Sequence, residues 1–386
     1  MNRIASLACC CALSSIASAG LPLEYELIAR ANFSTSFNLP VGAQVVNAIP
    51  SINDAGQIAF TYADLNLDEV IWADGGDIAG PFFLTGDARI SETGRVSWSV
   101  FMDGFLTDGV WTWTAGEGAA RYTNGPSGAS SWGTPQSNSA NQLLWRSSVS
   151  GDDVVIIDDL DDELPGVPLA VADGSQYTFI GSSIDINESG QAAGKAFDTS
   201  GQEILVTFQQ GQPDNIIADE SGEWTGFLNS TDFNNNGVIA AQAFSPNGDA
   251  IVTFDQGGNE TVIAREGVDV DTFEFFSPSI NDAGQVAFRA IDNGLEGIWL
   301  GDGASLDPIA LEGWQVMTDL GPAVFTDFSG NPDINNNGQI AINARASLLT
   351  GQDLGWGIYV ITVVPAPSGL TCFALAGLVA SRRRRS

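Results

Sequence analysis

The chain has 386 residues, of which 44% are apolar, so it is long enough to bury a large core. Its 47 Asp and Glu residues outnumber its 14 Lys and Arg residues, and the formal charge of −33 disfavours binding to nucleic acids or to anionic lipid. The sequence contains no histidine, which excludes His-based catalytic triads, zinc or haem held by histidine, and imidazole acid–base catalysis.

Residues 1–19 have the three parts of a secretory signal peptide. Arg3 supplies a positive start, residues 4–18 are apolar or small, and residues 17–19 form an A-x-A cleavage site. Three of the four cysteines lie in this segment: Cys9, Cys10 and Cys11. We therefore expect an exported protein whose mature body, residues 20–363, contains no cysteine. That body can use neither disulfides nor a cysteine nucleophile or metal ligand.

A short phrase of the type Ile-Asn-x-x-Gly-Gln recurs through the body. Its last glycine, replaced once by asparagine, stands at positions 56, 94, 141, 190, 237, 284 and 338. The spacings run from 38 to 54 residues, with a mean of about 47, which predicts a single array of seven repeats. Asn141 fits the glycine position because asparagine is the next-best residue at positive φ.

Each repeat carries four short strand patterns separated by turn residues, and none has a helical period. One set is Gln285–Ala290, Gly297–Leu300, Pro308–Leu311 and the aromatic-rich run 273–276. Four-stranded units repeated radially predict an all-β fold, a seven-bladed β-propeller of four-stranded antiparallel blades. The last repeat lacks a fourth strand. Because Tyr25–Arg30 parallels Thr261–Arg265, we expect this N-terminal strand to complete the last blade and close the ring.

Aromatic residues recur in register with the repeats. Four repeats carry an aromatic residue at the fourth position after the glycine: Phe60, Trp98, Trp145 and Phe288. Residues in register across repeats are expected to fill the layers between blades. Three tryptophans out of register are better candidates for ligand contact, although each also suits a loop anchor: Trp132, Trp224 and Trp314.

Three of the repeat turns carry side-chain oxygens at alternating positions before the glycine, as calcium-binding loops do. These residues are Asp185, Asn187 and Ser189; Asp232, Asn234 and Asn236; and Asp333, Asn335 and Asn337. Alanine stands at positions 196, 243 and 344, where an EF-hand needs a bidentate acid. Two interpretations stay open. Either the loops bind calcium, the one cofactor that the sequence suggests, or these side chains hydrogen-bond their own backbone in tight turns.

The densest acidic segment is Asp152-Asp153 followed by residues 158–163. Paired carboxylates can hydrolyse glycosidic bonds, but adjacent acids on a loop usually repel one another and stay solvated, so we expect an exposed turn. No catalytic or cofactor motif of the P-loop, dinucleotide-binding, HExxH or G-x-S-x-G type is present.

Residues 364–386 have three parts in order. A proline-rich start is followed by the apolar stretch 369–380, which contains Cys372, and by an arginine cluster. The start consists of Val364, Pro365, Ala366 and Pro367, and the cluster of Arg382, Arg383, Arg384 and Arg385. The 12 apolar residues are fewer than the roughly 20 of a relaxed membrane helix. The alternative interpretation is a short C-terminal anchor.

This order resembles the PEP-CTERM sorting tail that exosortases recognise, with Ala366 in place of the usual glutamate. The resemblance implies an exosortase-like processing enzyme as a partner and contact with a membrane only through the tail. Over residues 45–345 the repeat phrase is similar to bacterial extracellular tandem repeats, including the HAF type. That resemblance implies an exported protein of the cell envelope, the cell surface or the extracellular matrix.

We therefore predict a structural or interaction protein without enzymatic activity, whose propeller loops bind a polysaccharide, a surface protein or cations. The alternative is a carbohydrate-active propeller enzyme, a glycoside hydrolase or lyase that uses Asp/Glu pairs. Acids from different blades that converge in the central channel would favour the enzyme. A channel lined by small apolar residues, with acids scattered on the rim, would favour the binding protein.

Overall fold

The computed structural model describes residues 21–103, 108–123, 125, 129–162, 164–274 and 277–364. Every regular element in these ranges is a β-strand, and the strands form seven separate antiparallel sheets. The predicted all-β, seven-bladed propeller with four-stranded antiparallel blades is confirmed. Within the same ranges no helix is long and apolar enough to cross a membrane. The predicted signal peptide and the sorting tail from Pro365 onward lie outside the described residues.

Strands follow one another in chain order across each of the first six blades. Blade 1 consists of Ser51–Ile52, Ile58–Ala63, Glu69–Ala73 and Gly76–Phe82. Blade 4 consists of Tyr177–Ile186, Ala192–Asp198, Glu203–Phe208 and Asn215–Asp219. Blade 5 consists of Gly226–Phe233, Ile239–Phe244, Ala250–Phe254 and Glu260–Arg265.

In blades 2, 3 and 6 the first strand is split into two short segments that both pair with the second strand. Blade 2 consists of Leu84–Thr85 with Arg89–Ile90, then Val96–Phe101, Gly109–Thr114 and Gly118–Arg121. Blade 3 consists of Ala129–Trp132 with Gln136–Ser137, then Gln142–Val149, Asp152–Asp159 and Val167–Ala172. Blade 6 consists of Thr272–Phe273 with Ser279–Ile280, then Val286–Asp292, Leu295–Gly301 and Leu306–Leu311.

Blade 7 combines strands from both ends of the chain. It consists of Gly321–Ile334, Gln339–Leu348, Asp353–Val363 and Leu23–Ala31, and it is extended by Ser36–Phe37 and Gln315–Thr318. The N-terminal strand runs antiparallel to the last one, with Leu23 opposite Val363 and Ala31 opposite Trp356. It covers the edge that Asp353–Val363 would otherwise expose to solvent.

The repeated phrase forms the turn between the first and second strand of every blade. In blade 7 the Gly338 N–H donates to the Asn335 carbonyl at 3.1 Å, and the Asn335 N–H donates to the Gln339 carbonyl at 3.0 Å. The residue at the glycine position has a positive φ in all seven turns, from 62° at Asn141 to 78° at Gly94 and Gly284. The phrase therefore needs glycine, or asparagine, at this position.

The asparagine of the phrase joins each blade to the next. Its side-chain amide donates to the backbone carbonyl of the equivalent residue on the following blade, as from Asn335 to Asn53 at 2.8 Å and from Asn234 to Asn281 at 2.9 Å. The same bond is present at six of the seven seams between described blades. At the remaining seam, between blades 2 and 3, Ser91 replaces the asparagine. What the repeats share is thus the chemistry that holds the blades together.

A polar side chain five residues after the glycine adds a second tie at several seams. The Lys195 ammonium donates to the Phe227 carbonyl at 2.7 Å, and the Asn343 amide donates to the Val45 carbonyl at 2.7 Å. Both side chains are buried. Because a buried polar group without a partner is costly, these residues hold neighbouring blades in a fixed register.

The in-register aromatic residues form the core between the sheets, as predicted. Phe60 and Trp98 are fully buried. Phe60 stacks on Trp72 with ring centroids 4.8 Å apart, and Trp98 stacks on Trp111 at 6.2 Å. Each such pair joins the second and third strands of one blade, so the apolar layers lie around the channel rather than in it.

Replacement of Asn335 by alanine should lower the free energy of unfolding by about 2–4 kcal/mol, because the Asn53 carbonyl and two turn N–H groups lose a buried partner. Ser91→Asn should raise it by about 0.5–1 kcal/mol, because it supplies the bond that the seam between blades 2 and 3 lacks. Chemical denaturation measures both. An Asn335→Ala variant as stable as the parent would contradict this account of the seams.

Candidate functional site in the central channel

Residues in or next to the first strand of each blade line the central channel. The upper ring consists of the residues that stand seven positions before each repeat glycine: Ile49, Asp87, Thr134, Ser183, Ser230, Ser277 and Asn331. The middle ring consists of the residues that stand five positions before each repeat glycine: Ser51, Arg89, Gln136, Asp185, Asp232, Ser279 and Asp333. In every blade the upper-ring residue stands two positions before the middle-ring residue. Polar side chains occupy thirteen of these fourteen positions, Ile49 being the exception.

Two cavities meet at the middle ring. One, of about 160 Å³, extends toward the turns, and the other, of about 210 Å³, extends to the upper ring; we call the latter the upper cavity. Arg89, Asp232 and Asp333 line both of them. The three predicted loop acids, from blades 4, 5 and 7, are therefore brought together in the channel.

Two of these acids are bound to the backbone of the next blade. Asp333 Oδ2 accepts from the Ile52 N–H at 2.8 Å, and Asp232 Oδ2 accepts from the Ile280 N–H at 2.7 Å. The Ser279 hydroxyl continues the pattern by donating to Asp333 Oδ1 at 3.1 Å. These two carboxylates therefore accept hydrogen bonds from neighbouring blades and help to hold the ring together.

Asp185 differs from the other two acids. It is 5% exposed, and one carboxylate oxygen accepts from the Gln136 side-chain amide. The other oxygen, Oδ2, has no hydrogen-bond partner among the described residues. Burial, and next the nearby charge of Asp232, raise the pKa of Asp185 to about 8, although Arg89 and Gln136 lower it in part. Asp185 is thus an acid that can hold its proton near neutral pH.

Arg89 is the cation among these acids. Burial alone would lower the pKa of its guanidinium, but the surrounding carboxylates, with Asp333 foremost, raise it overall. Burial also raises the pKa of Asp87 and of Asp333, and Arg89 opposes that effect in both cases. One guanidinium therefore faces four carboxyl groups, and the middle of the channel keeps an excess of negative charge.

The channel mouth on the turn side is acidic as well. The residues two positions before the glycine that line it are Asp54, Glu92, Glu188, Asn235, Asp282 and Asn336. Their side chains accept backbone N–H groups from the preceding blade, as in the 2.7 Å bond from Asn336 to Asp54. Burial, and then the charges of Asp54 and Glu188, raise the pKa of Glu92. The charges of separate blades thus interact across the mouth.

The side chains of the candidate calcium loops are engaged in the turns and seams. Asn234 Oδ1 accepts from the backbone of Asn236 and Val238, and the Asn236 amide donates to the Asp282 carbonyl at 2.7 Å. Asn187 and Asn335 accept from their own turns in the same way, and Ser189 donates to Asn187. In the described part of the chain, no three acidic side chains are placed to hold one metal ion. Calcium binding at these loops stays a prediction.

The acidic segment of blade 3 lies away from the channel. Asp159, Asp161 and Asp162 are exposed, as expected of a solvated turn. Asp158 was not recognised as different: it is 5% exposed, it accepts the Tyr122 hydroxyl, and burial raises its pKa. Its place on strand Asp152–Asp159 explains the difference, because residues 154–158 of that strand are all buried.

Of the three tryptophans singled out for ligand contact, Trp224 is a buried anchor. It is 3% exposed, its indole N–H donates to Glu260 at 2.8 Å, and Arg265 lies over its ring. Trp132 and Trp314 are half-buried.

Sequence reasoning missed Arg89, Gln136 and the whole upper ring. The oxygen donors of each loop were interpreted by themselves. Each ring of the channel, in contrast, combines the residues at one equivalent position of all seven repeats. Counting back five and seven residues from each repeat glycine would have found both rings.

A family profile described as a family of unknown function, DUF7453, matches residues 129–359, more than half of the chain. The chain belongs to this family. The match spans blades 3 to 7 and most of the channel residues discussed above. No curated protein matches the sequence.

Among solved structures, this DUF7453 chain is similar in fold to a structure from a study of two prolyl endopeptidases, with a TM-score of 0.51 and 10% identity. The likeness covers 84% of this chain and 51% of that one, so the chain spans about half the length of that protein. Prolyl oligopeptidase B from Galerina marginata gives a TM-score of 0.49 at 11% identity, covering 83% of this chain and 52% of that one. A gluconolactonase from Xanthomonas campestris gives 0.41 at 12%, covering 75% and 91%. At these identities the likeness concerns the fold alone.

Because the folded-state pKa of Asp185 lies above its ordinary value of 3.8, its contribution to stability is complete below about pH 4 and is lost as the pH rises to about 8. Asp185→Asn should therefore reduce the loss of stability between pH 5 and pH 8.5, measured by denaturant unfolding. Asp198→Asn is the matched control, since hydrogen bonds from the Ser200 hydroxyl and nearby backbone lower the pKa of this half-buried acid and it stays ionised throughout that range. Equal slopes for the parent and Asp185→Asn would contradict the assignment.

Proposed function

We propose that the protein is an exported, non-catalytic binding or structural propeller of the cell surface or extracellular matrix. The observation that carries this proposal is the use of the repeated side chains: the phrase asparagines and two of the three channel acids, Asp232 and Asp333, bond to the neighbouring blade. The residues common to all repeats build a rigid ring. Recognition is then left to the loops, which differ between blades.

Export and surface attachment rest on the two ends of the chain. The signal-like residues 1–19 and the PEP-CTERM-like residues 364–386 support secretion followed by sorting by an exosortase-like enzyme. The absence of cysteine between them suits a protein that does not depend on the redox state of its surroundings. The acidic channel mouth, with Asp54, Glu92 and Glu188, supports a ligand that is cationic or carries bound cations, such as a polysaccharide with divalent counter-ions.

A producing strain that makes the chain without residues 364–386 should release it into the medium, whereas the full chain should stay with the cell surface. Cell fractionation and immunoblotting measure the distribution. The matched variant Pro365→Ala/Pro367→Ala keeps the apolar stretch and the arginines, so it should also be released if a sorting enzyme reads the proline motif. Retention of this double variant with release of the truncated chain would indicate a plain anchor, and retention of both would end the sorting proposal.

A carbohydrate-active enzyme is the second candidate, because acids from blades 4, 5 and 7 converge in the channel. Asp185 has the free oxygen and the raised pKa of a general acid, with Asp232 near enough to influence it. Against this candidate, a hydrolase of this type needs a second carboxylate that is free to act. Asp232 and Asp333, the acids of the same ring, each hold a backbone N–H instead, and Asp87 belongs to the upper ring.

If the protein is not an enzyme, the parent chain should release no reducing ends or unsaturated products from a panel of neutral, acidic and amino-sugar polysaccharides. Chromatography of the products measures this. Cleavage that is lost in Asp185→Asn and kept in Asp198→Asn would overturn the non-catalytic proposal and place the reaction in the channel.

A further inference from the structure

Three residues that line the upper cavity each carry a buried polar atom without a hydrogen-bond partner among the described residues. These atoms are Asp185 Oδ2, Arg89 Nε and Thr231 Oγ1. Asp185 and Thr231 are only 5% and 3% exposed. Because a buried polar atom without a partner is destabilising, three such residues around one cavity indicate a place where a ligand or water completes the hydrogen bonds.

The charge around this cavity selects the kind of ligand. Asp87, Asp185, Asp232 and Asp333 line it against the single guanidinium of Arg89. An anion would meet an excess of negative charge, whereas an organic cation would reduce that excess. An ammonium group beside Asp185 would also favour the ionised carboxylate and so offset its tendency to hold a proton.

The remaining lining separates an organic cation from a metal ion. A divalent metal needs several oxygen ligands around one point, and the described residues offer no group of three acids in that arrangement. An ammonium group, in contrast, donates its hydrogen bonds one at a time to separate acceptors.

The other polar atoms of the lining suit hydroxyl groups. The cavity carries the side chains of Thr134, Ser183, Ser230, Ser277 and Asn331. A ligand hydroxyl both donates and accepts, so it pairs with these groups and can accept from Arg89 Nε. The volume of about 210 Å³ greatly exceeds the roughly 30 Å³ that one water molecule occupies in the liquid, and Ser182 at the edge of the cavity is exposed.

We infer that the upper cavity binds a small hydroxylated organic cation of the amino-sugar class, with its ammonium group on Asp185 and a hydroxyl oxygen on Arg89 Nε. The inference goes beyond the proposed function, since it does not depend on where the protein acts or on how it is attached.

The test is isothermal titration calorimetry of the purified full chain with D-glucosamine, N-acetylglucosamine and calcium chloride. Glucosamine should bind, and N-acetylglucosamine, which has no ammonium group, should bind at least tenfold more weakly. Asp185→Asn removes the charge and should weaken glucosamine binding at least tenfold. Asp198→Asn makes the same chemical change at the half-buried end of strand Ala192–Asp198, outside the lining of the channel, and should leave the affinity unchanged.

A second variant guards against a folding defect in Asp185→Asn. Ser230→Phe fills the upper cavity from a half-buried position and should abolish glucosamine binding while the protein keeps its thermal unfolding midpoint within a few degrees. Four results would overturn the inference. The first is no binding heat from glucosamine, which would indicate that only water occupies the cavity, and the second is unchanged affinity in Asp185→Asn or Ser230→Phe. Equal binding of the two sugars, or loss of glucosamine binding when calcium is added, would also overturn it. The surface-sorting proposal is tested separately by cell fractionation, and its outcome does not affect this inference.

Discussion

The structure depends on the bond from a side-chain amide to the backbone carbonyl of the next blade. A four-stranded blade is too small to bury its own apolar faces, so it is stable only when both faces are covered by neighbouring blades. Apolar packing alone would allow neighbouring sheets to slide. The asparagine of the phrase prevents this, because its carbonyl oxygen is held by its own turn while its amide reaches the neighbouring turn. One side chain thus shapes the turn and positions the next blade.

The same geometry explains why the channel is polar. Because the first strand of each blade lies nearest the axis, side chains from all seven blades face one another across the channel. Most of them carry hydroxyl or carboxyl groups. Where they bond to a neighbouring backbone, as at Asp333, they belong to the scaffold. Where a replacement breaks the pattern, as at Arg89 and Gln136, charge and hydrogen-bonding capacity are left for other uses.

Much of the fold could be predicted from the sequence because its signals are local and repeated. The glycine at positive φ, the alternating strand after it and the aromatic residue four positions later each report a local conformation, and seven copies strengthen a weak pattern. The channel was harder to predict, because its properties arise from residues about 47 positions apart that meet only in the closed ring. Asp185, Asp232 and Asp333 were recognised as special, but they were assigned to three separate loops instead of one ring. The burial of Asp158 was missed because a run of acidic residues predicts exposure to solvent and carries no information about which of its members lies on a buried strand.

Blade 7 places the two ends of the described chain side by side. The Val364 N–H donates to the Pro22 carbonyl at 2.8 Å, and both residues adjoin paired strands at the outer edge of that blade. Whatever continues past Val364 therefore leaves from the circumference of the disc, next to the point where the chain enters it. An anchor attached after Val364 would therefore be joined to the outer edge of blade 7 and not to the lining of the central channel.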